Sequence, residues 1–202
     1  MPHAAQRLAH EHDGLLVGER EGIRPPGFDF NNSPAEISRA DIRGRVVVVS
    51  TSNGTKVLSK LTATPATLIG CLLNARASAE AAVGLAGKMG ARVGIVCAGT
   101  LGRFALDDAV AAGVLVERIT AALRSRGEEA SLTEAAVAAV RLYRSYPDLV
   151  TPLRESVAGR LVTKLGAGDD VPFCARVDVS STVPVLRPGA PLIVERLVTT
   201  SN

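Results

Sequence analysis

Residues 27–36, GFDFNNSPAE, place one carboxylate, Asp29, between Phe28 and Phe30 in a chain whose aromatic content is only 3%. Asn31, Asn32, Ser33 and Pro34 follow directly, a composition that makes a turn with proline at the first helical position. The same residues suit a site, because two rings driven into a core would hold the acid and the amides behind it still. Three further stretches carry comparable chemistry. GEREGIRPPG sets Glu19, Arg20 and Arg24 in a Pro/Gly-rich connection. STSNGTK offers Asn53 and Gly54, which tolerate positive φ, then Thr55 and Lys56 at a helix start, so that amides and hydroxyls form a cradle for phosphate. CAGTLGRFALDD runs from Gly99 and Gly102 to Asp107 and Asp108 at a helix N-terminus. Each has a structural reading on its own, as hairpin turn, helix cap or proline-led helix. Gathered on one sheet edge, they point to a phosphorylated ligand and a divalent cation, and carboxylates with few histidines favour Mg²⁺.

The remaining reactive residues narrow the chemistry. His3, His10 and His12 all precede the first strand-like run, which leaves no Ser-His-Asp triad and no His-rich zinc site in the body of the chain. Cys97 and Arg103 have the C-x5-R spacing of cysteine-dependent phosphatases, in which a thiolate attacks a phosphate held by loop amides and the arginine. The segment lacks the histidine that commonly precedes that motif, and a cysteine ending an apolar strand is ordinary core.

These loops need a scaffold, and the pattern around them supplies one. Apolar β-branched runs at 15–19, 45–51, 66–73 and 91–99 alternate with Ala-rich segments of helical period at 75–88, 107–126, 131–145 and 152–164. That alternation predicts an α/β fold around a largely parallel sheet, with ligands bound beyond the carboxyl ends of the strands. The strands read as apolar on both faces and therefore covered on both. Ser131 and Glu134 stand at capping-box spacing before the third helix. The tail from 171 to 197, broken by Pro and Gly, predicts two or three edge strands, some antiparallel. Residues 3–12 read as a helix running into the first strand, as if the chain opened inside a βα unit.

The 202 residues suit one domain, 1–202, able to bury roughly 70% of its unfolded surface. A 47% hydrophobic composition excludes disorder, and no run has the length of a membrane helix or the form of a secretion signal, so a cytoplasmic protein is expected. The three cysteines, Cys71, Cys97 and Cys174, each in an apolar run, are expected to be buried free thiols. The net charge of +3 is spread along the chain, against a nucleic-acid face.

Taken in order, GERE, GFDFNNSP, TSNGT with Lys56 and Leu58, Asn74 in LLNA, VCAGTLGRFALDD with Gly113, and GRLVTKLGAGDDVPFCARVDVSSTVPVL resemble the 2-phosphosulfolactate phosphatase family across residues 15–186. The resemblance implies Mg²⁺-dependent hydrolysis of 2-phospho-3-sulfolactate to 3-sulfolactate and phosphate, a three-layer α/β/α fold and a homodimer. It implies Glu19 and Asp29 as metal-binding or water-activating carboxylates, with Asp107 and Asp108 as a second acidic pair. Asn53, Gly54 and Thr55 become the phosphate loop, supported by Asn32 and Ser33. Arg20 and Lys56 would meet the substrate's sulfonate or carboxylate. Family members begin with a βα unit carrying a D-x-x-R-A-[ST]-[ST]-like segment that has no counterpart before LLVGERE. An alternative is therefore a non-catalytic relative that still binds phosphorylated small molecules.

Overall fold

In a computed structural model that describes residues 2–198, the chain is a mixed α/β fold in which helices outnumber short strands. Helix α1 (Pro2–Glu11) leads straight into β1 (Leu15–Gly18), which pairs in parallel with β2 (Val47–Ser50) from Leu15 opposite Val47 to Gly18 opposite Ser50. Ala5 and Ala9, one helical turn apart, bury against Leu16 and Phe28 and fix α1 beneath the strands. Phe28 thus anchors its loop in the core as the sequence implies. On the far side of β1, Phe30 makes a parallel bridge to Val17, so β1 is flanked by chain on both edges.

Helix α2 (Pro34–Ile37) opens with Pro34 behind Ser33, whose hydroxyl accepts from the Glu36 amide. Helix α3 (Gly54–Lys60) follows β2 after a short loop. Helices α4 (Ala75–Met89) and α5 (Leu106–Arg124) pack together, the first closed by Gly90 in the left-handed region. Helix α6 (Glu134–Arg144) lies against α5 at Gly113, where a Cβ would sit 2.3 Å from the Ala139 carbonyl, so only glycine allows this approach. Leu72, Ala75, Val114, Leu153 and Val171 form the second core cluster. The strands β3 (Pro184–Arg187) and β4 (Ile193–Arg196) make the expected antiparallel edge pair.

Several expectations are corrected. The cap of α6 is Thr133, accepting from the Ala136 amide, rather than a Ser131–Glu134 box. The helix expected over 152–164 is two, α7 (Val150–Glu155) and α8 (Val157–Lys164), because Ser156 turns extended and caps α8 through the Gly159 amide. Residues of the tail form α9 (Asp170–Cys174), which takes Cys174 out of any strand. The run 66–73 holds only one isolated bridge, Leu68 to Val185, before a 3₁₀ turn at Leu72–Asn74, and 91–99 carries no strand pairing. Cys71 and Cys97 are consequently exposed rather than buried, and all three thiols are free. Among the described residues no helix is long and apolar enough to cross a membrane.

Candidate active site

Beyond the carboxyl ends of β1 and β2, hydrogen bonds tie three of the four candidate loops into one surface. The Glu19 carboxylate accepts from the Ser52 amide at 2.6 Å, the Gly22 amide at 3.0 Å and the Ser52 hydroxyl at 3.2 Å. Arg20 donates from Nη2 to the Ser50 hydroxyl at 2.8 Å and from Nη1 to the Glu19 and Ser50 carbonyls. These bonds fasten GERE to STSNGTK. Asn53 then reaches the third loop, its Oδ1 accepting from the Leu101 amide at 3.2 Å. Asp108 holds that loop to the start of α5, its Oδ2 accepting from the Gly99 amide at 2.6 Å.

Two loops use the same turn. Glu21 and Gly22 both have positive φ between the mutually bonded Arg20 and Ile23, and so do Leu101 and Gly102 between Thr100 and Arg103. Positive φ at both central positions marks the type I′ hairpin, which normally calls for Asn or Gly first. Glu21 and Leu101 stand there instead, a local strain that the surrounding bonds must hold. The Asn53-Gly54 pair takes neither positive φ: Asn53 is at −120° and Gly54 already begins α3, which corrects the turn expected from its sequence.

The candidate acids differ sharply in their surroundings. Burial alone would raise the Glu19 carboxyl, but its bonds to Gly22 and Ser52 and the charge of Arg20 hold it below the usual range. Asp29 is exposed, and its Oδ2 accepts from the Leu16 amide at 2.7 Å. Leu16 lies three residues before Glu19, so Asp29 sits roughly 10 Å back from the loop surface at about 3.3 Å per residue. Asn31 donates to the Gly22 carbonyl and its Oδ1 accepts from the Asn32 amide, which brings the end of GFDFNNSP to the GERE turn. Ser33 is buried and donates to Asp170 Oδ1 at 2.8 Å, and the Ala35 amide adds a second bond at 2.9 Å. Asp170, only 6% exposed, is the positioning residue that sequence reasoning missed; its signal was the GDD in GAGDD.

Asp107 is the exception among the acids. Its Oδ1 is buried without a partner, and burial together with the charge of Asp108 pushes its carboxyl up. An atom so placed favours a cation beside it. Mg²⁺ is held by one or two carboxylates, with waters and substrate phosphate completing its oxygen shell. Asp107, with Asp108 next to it, fits that donor set, although no group of three His, Cys, Asp or Glu gathers among the described residues.

The surroundings of Cys97 oppose thiolate chemistry. Partial loss of water around the sulfur, then the charges of Asp108 and Asp107, raise its thiol. Three of the loop amides that a C-x5-R cradle would use are already engaged, Gly99 to Asp108, Thr100 to the Arg103 carbonyl and Leu101 to Asn53.

Glu19 yields a pH prediction. A carboxyl lowered by folding stabilises the fold above its unfolded value near 4.5, and that stabilisation disappears as pH falls through the folded value. Glu19→Gln is therefore expected to destabilise the protein by about 1–3 kcal/mol at neutral pH, because an amide cannot accept from all three donors. Below pH 4.5 the gap to wild type narrows. Thermal melts across pH 3–7 check this, and a constant gap would exclude a titrating Glu19.

The family described as 2-phosphosulpholactate phosphatase matches residues 2–189. A Thermus thermophilus protein named "Probable 2-phosphosulfolactate phosphatase" is 43% identical over 178 residues, covering 88% of this chain and 72% of its own length. A Deinococcus radiodurans protein of the same name is 38% identical over 178 residues, covering 88% of this chain and 71% of its own. One from Thermosynechococcus vestitus is 36% identical over 171 residues, with 84% and 69% covered.

Proposed function

The chain belongs to the 2-phosphosulfolactate phosphatase family of phosphoric monoester hydrolases, and on that footing we propose that it hydrolyses 2-phospho-3-sulfolactate at the surface formed by Glu19–Gly22, Ser52–Thr55 and Gly99–Asp108. Water attacks phosphorus, the ester oxygen leaves as the 2-hydroxyl of 3-sulfolactate, and inorganic phosphate is the second product. The observation that carries this is the hydrogen-bonded convergence of the three loops, with a buried, partnerless carboxylate oxygen, Asp107 Oδ1, at its edge.

The chain's own groups divide the work. The phosphate sits at the start of α3, where the Asn53 side-chain amide, the Gly54 amide and Thr55 face it; Asn53 Oδ1 is already turned to Leu101, which leaves Nδ2 to donate. Arg20 uses two hydrogens of Nη1 and one of Nη2 on β1 and β2, so its Nε–H and one Nη2–H remain for an anion. Arg20 and the exposed Lys56 take the sulfonate and carboxylate. Asn32 and Ser33 support the loop from the far side of β1, and Asp29 and Glu19 hold β1 and its turn in register with β2. Asp107, flanked by Asp108, would hold Mg²⁺, which when bound neutralises phosphate charge and lowers the pKa of a coordinated water.

The same reading makes the chain one three-layer α/β/α domain that works as a cytoplasmic homodimer. Phosphate release from synthetic 2-phosphosulfolactate tests the activity. Turnover with Mg²⁺ that ceases with excess chelator is expected. Release that survives chelation would move the chemistry to Cys97 and Arg103, and binding without release would make this a non-catalytic relative.

A further inference from the structure

Residues 92–98, RVGIVCA, lie outside every helix, strand and turn, and among the described residues none of their backbone N–H or C=O groups makes a backbone hydrogen bond. Val96 is 60% exposed, with Val93 exposed beside it. Such a run is a strand with both ladders missing. The chain at 66–70 is half in the same condition. Ile69 donates to the Pro184 carbonyl and Leu186 donates to the Thr67 carbonyl, so odd-numbered residues serve β3. By the alternation of an antiparallel ladder, the groups of Ala66, Leu68 and Gly70 point the other way, unpaired.

Both segments line one cavity of about 570 Å³. Its helical wall is aliphatic, with Ala82 and Ala86 of α4 and Ala111 and Leu115 of α5, and the charged residues on its lining are Arg92 and Asp108. An apolar small molecule would suit those side chains but would leave the backbone groups without partners, a cost that only another backbone removes. We propose that this trough is an open strand position, filled by an apolar β-branched segment that pairs with residues 92–98 and with the free edge of 66–70. The occupant is polypeptide from the part of the family members that this chain does not match. The Thermus and Deinococcus proteins are matched over 72% and 71% of their lengths, which leaves ample chain for a strand of five or six residues and its connection. Filling it makes 66–70 an interior strand between β3 and the occupant, apolar on both faces as such strands are, and gives 92–98 one of the two ladders it lacks.

Amide hydrogen exchange tests this directly. In dilute solution the amides of 92–98 are expected to exchange as fast as those of an unstructured peptide. Polypeptides that together make up the part of the Thermus thermophilus protein outside its matched region are then added separately. One of them is expected to slow exchange at 92–98 by at least 100-fold, and Val96→Asp, which alters an exposed side chain, is expected to abolish that slowing without changing the circular dichroism of the free chain. Failure of all of these polypeptides to protect these amides would overturn the proposal, as would strong protection in the chain alone. Protection that instead grows with concentration of this chain would make the occupant a second copy and overturn it equally. Neither result depends on turnover, so phosphatase activity stands or falls separately.

Discussion

Asp107→Asn is expected to lower kcat for phosphate release by about 10²–10³-fold, the usual effect of removing one group that stabilises transition-state charge, while the melting temperature rises. The two effects have one cause. Asp107 Oδ1 is buried without a hydrogen-bond partner, and burial and Asp108 both work against its charge. A carboxylate kept there costs stability, because charge partly withdrawn from water with one oxygen left unpaired is unfavourable. Asn keeps the shape and removes the charge. Activity lost with stability gained is the mark of a group retained for function. Wild-type turnover would remove Asp107 from the site. A lower melting temperature would make it a structural acid, of the kind that a first-turn aspartate in α5 would ordinarily be.

The second large effect is expected from Gly18→Ala. Gly18 ends β1 immediately before Glu19, and a Cβ there would lie 2.1 Å from the Ser50 carbonyl oxygen and 3.1 Å from the Phe28 ring. Backbone cannot swing aside as a side chain can, so β1 and β2 must separate at the point where Arg20 and Glu19 bind Ser50 and Ser52. Overpacking of this severity costs about 3 kcal/mol or more. The variant is expected to melt well below wild type and, where still folded, to show a raised KM because the Ser52–Thr55 loop has moved. Wild-type stability and KM would mean that β1 and β2 do not meet at Gly18 as described.

The parts legible in the sequence were those written in local patterns. Alternating apolar runs located β1 and β2, Ala-rich periodicity located α4 and α5, and the Pro and Gly of the tail announced β3 and β4. Ser33 before Pro34 gave the start of α2. The losses came where a tertiary choice overrode a local signal. Ser131 with Glu134 is a sound capping box, but the helix starts two residues later, with Thr133 as its cap. A single serine, Ser156, split a helix whose period ran on unbroken. The runs at 66–73 and 91–99 have strand composition, yet pairing needs a neighbour and composition names none. At the site, residue types pointed to the loops but not to their division of labour. Glu19 and Asp107 are both acids near glycine-rich turns; only the structure shows one held by three donors and the other with a buried oxygen, Oδ1, that has none. Asp170 went unremarked because its partner Ser33 lies 137 residues away in sequence.

The central claim is that one surface, formed by GERE, STSNGTK and CAGTLGR, binds the phosphate. Backbone amide mapping of the ¹⁵N-labelled chain titrated with inorganic phosphate and Mg²⁺ tests it most directly. The largest shifts are expected at Ser52–Thr55 and Gly99–Arg103, with Glu19–Gly22 following through their bonds to Ser52. Shifts concentrated away from the three loops, or no saturable shift at them, would contradict it.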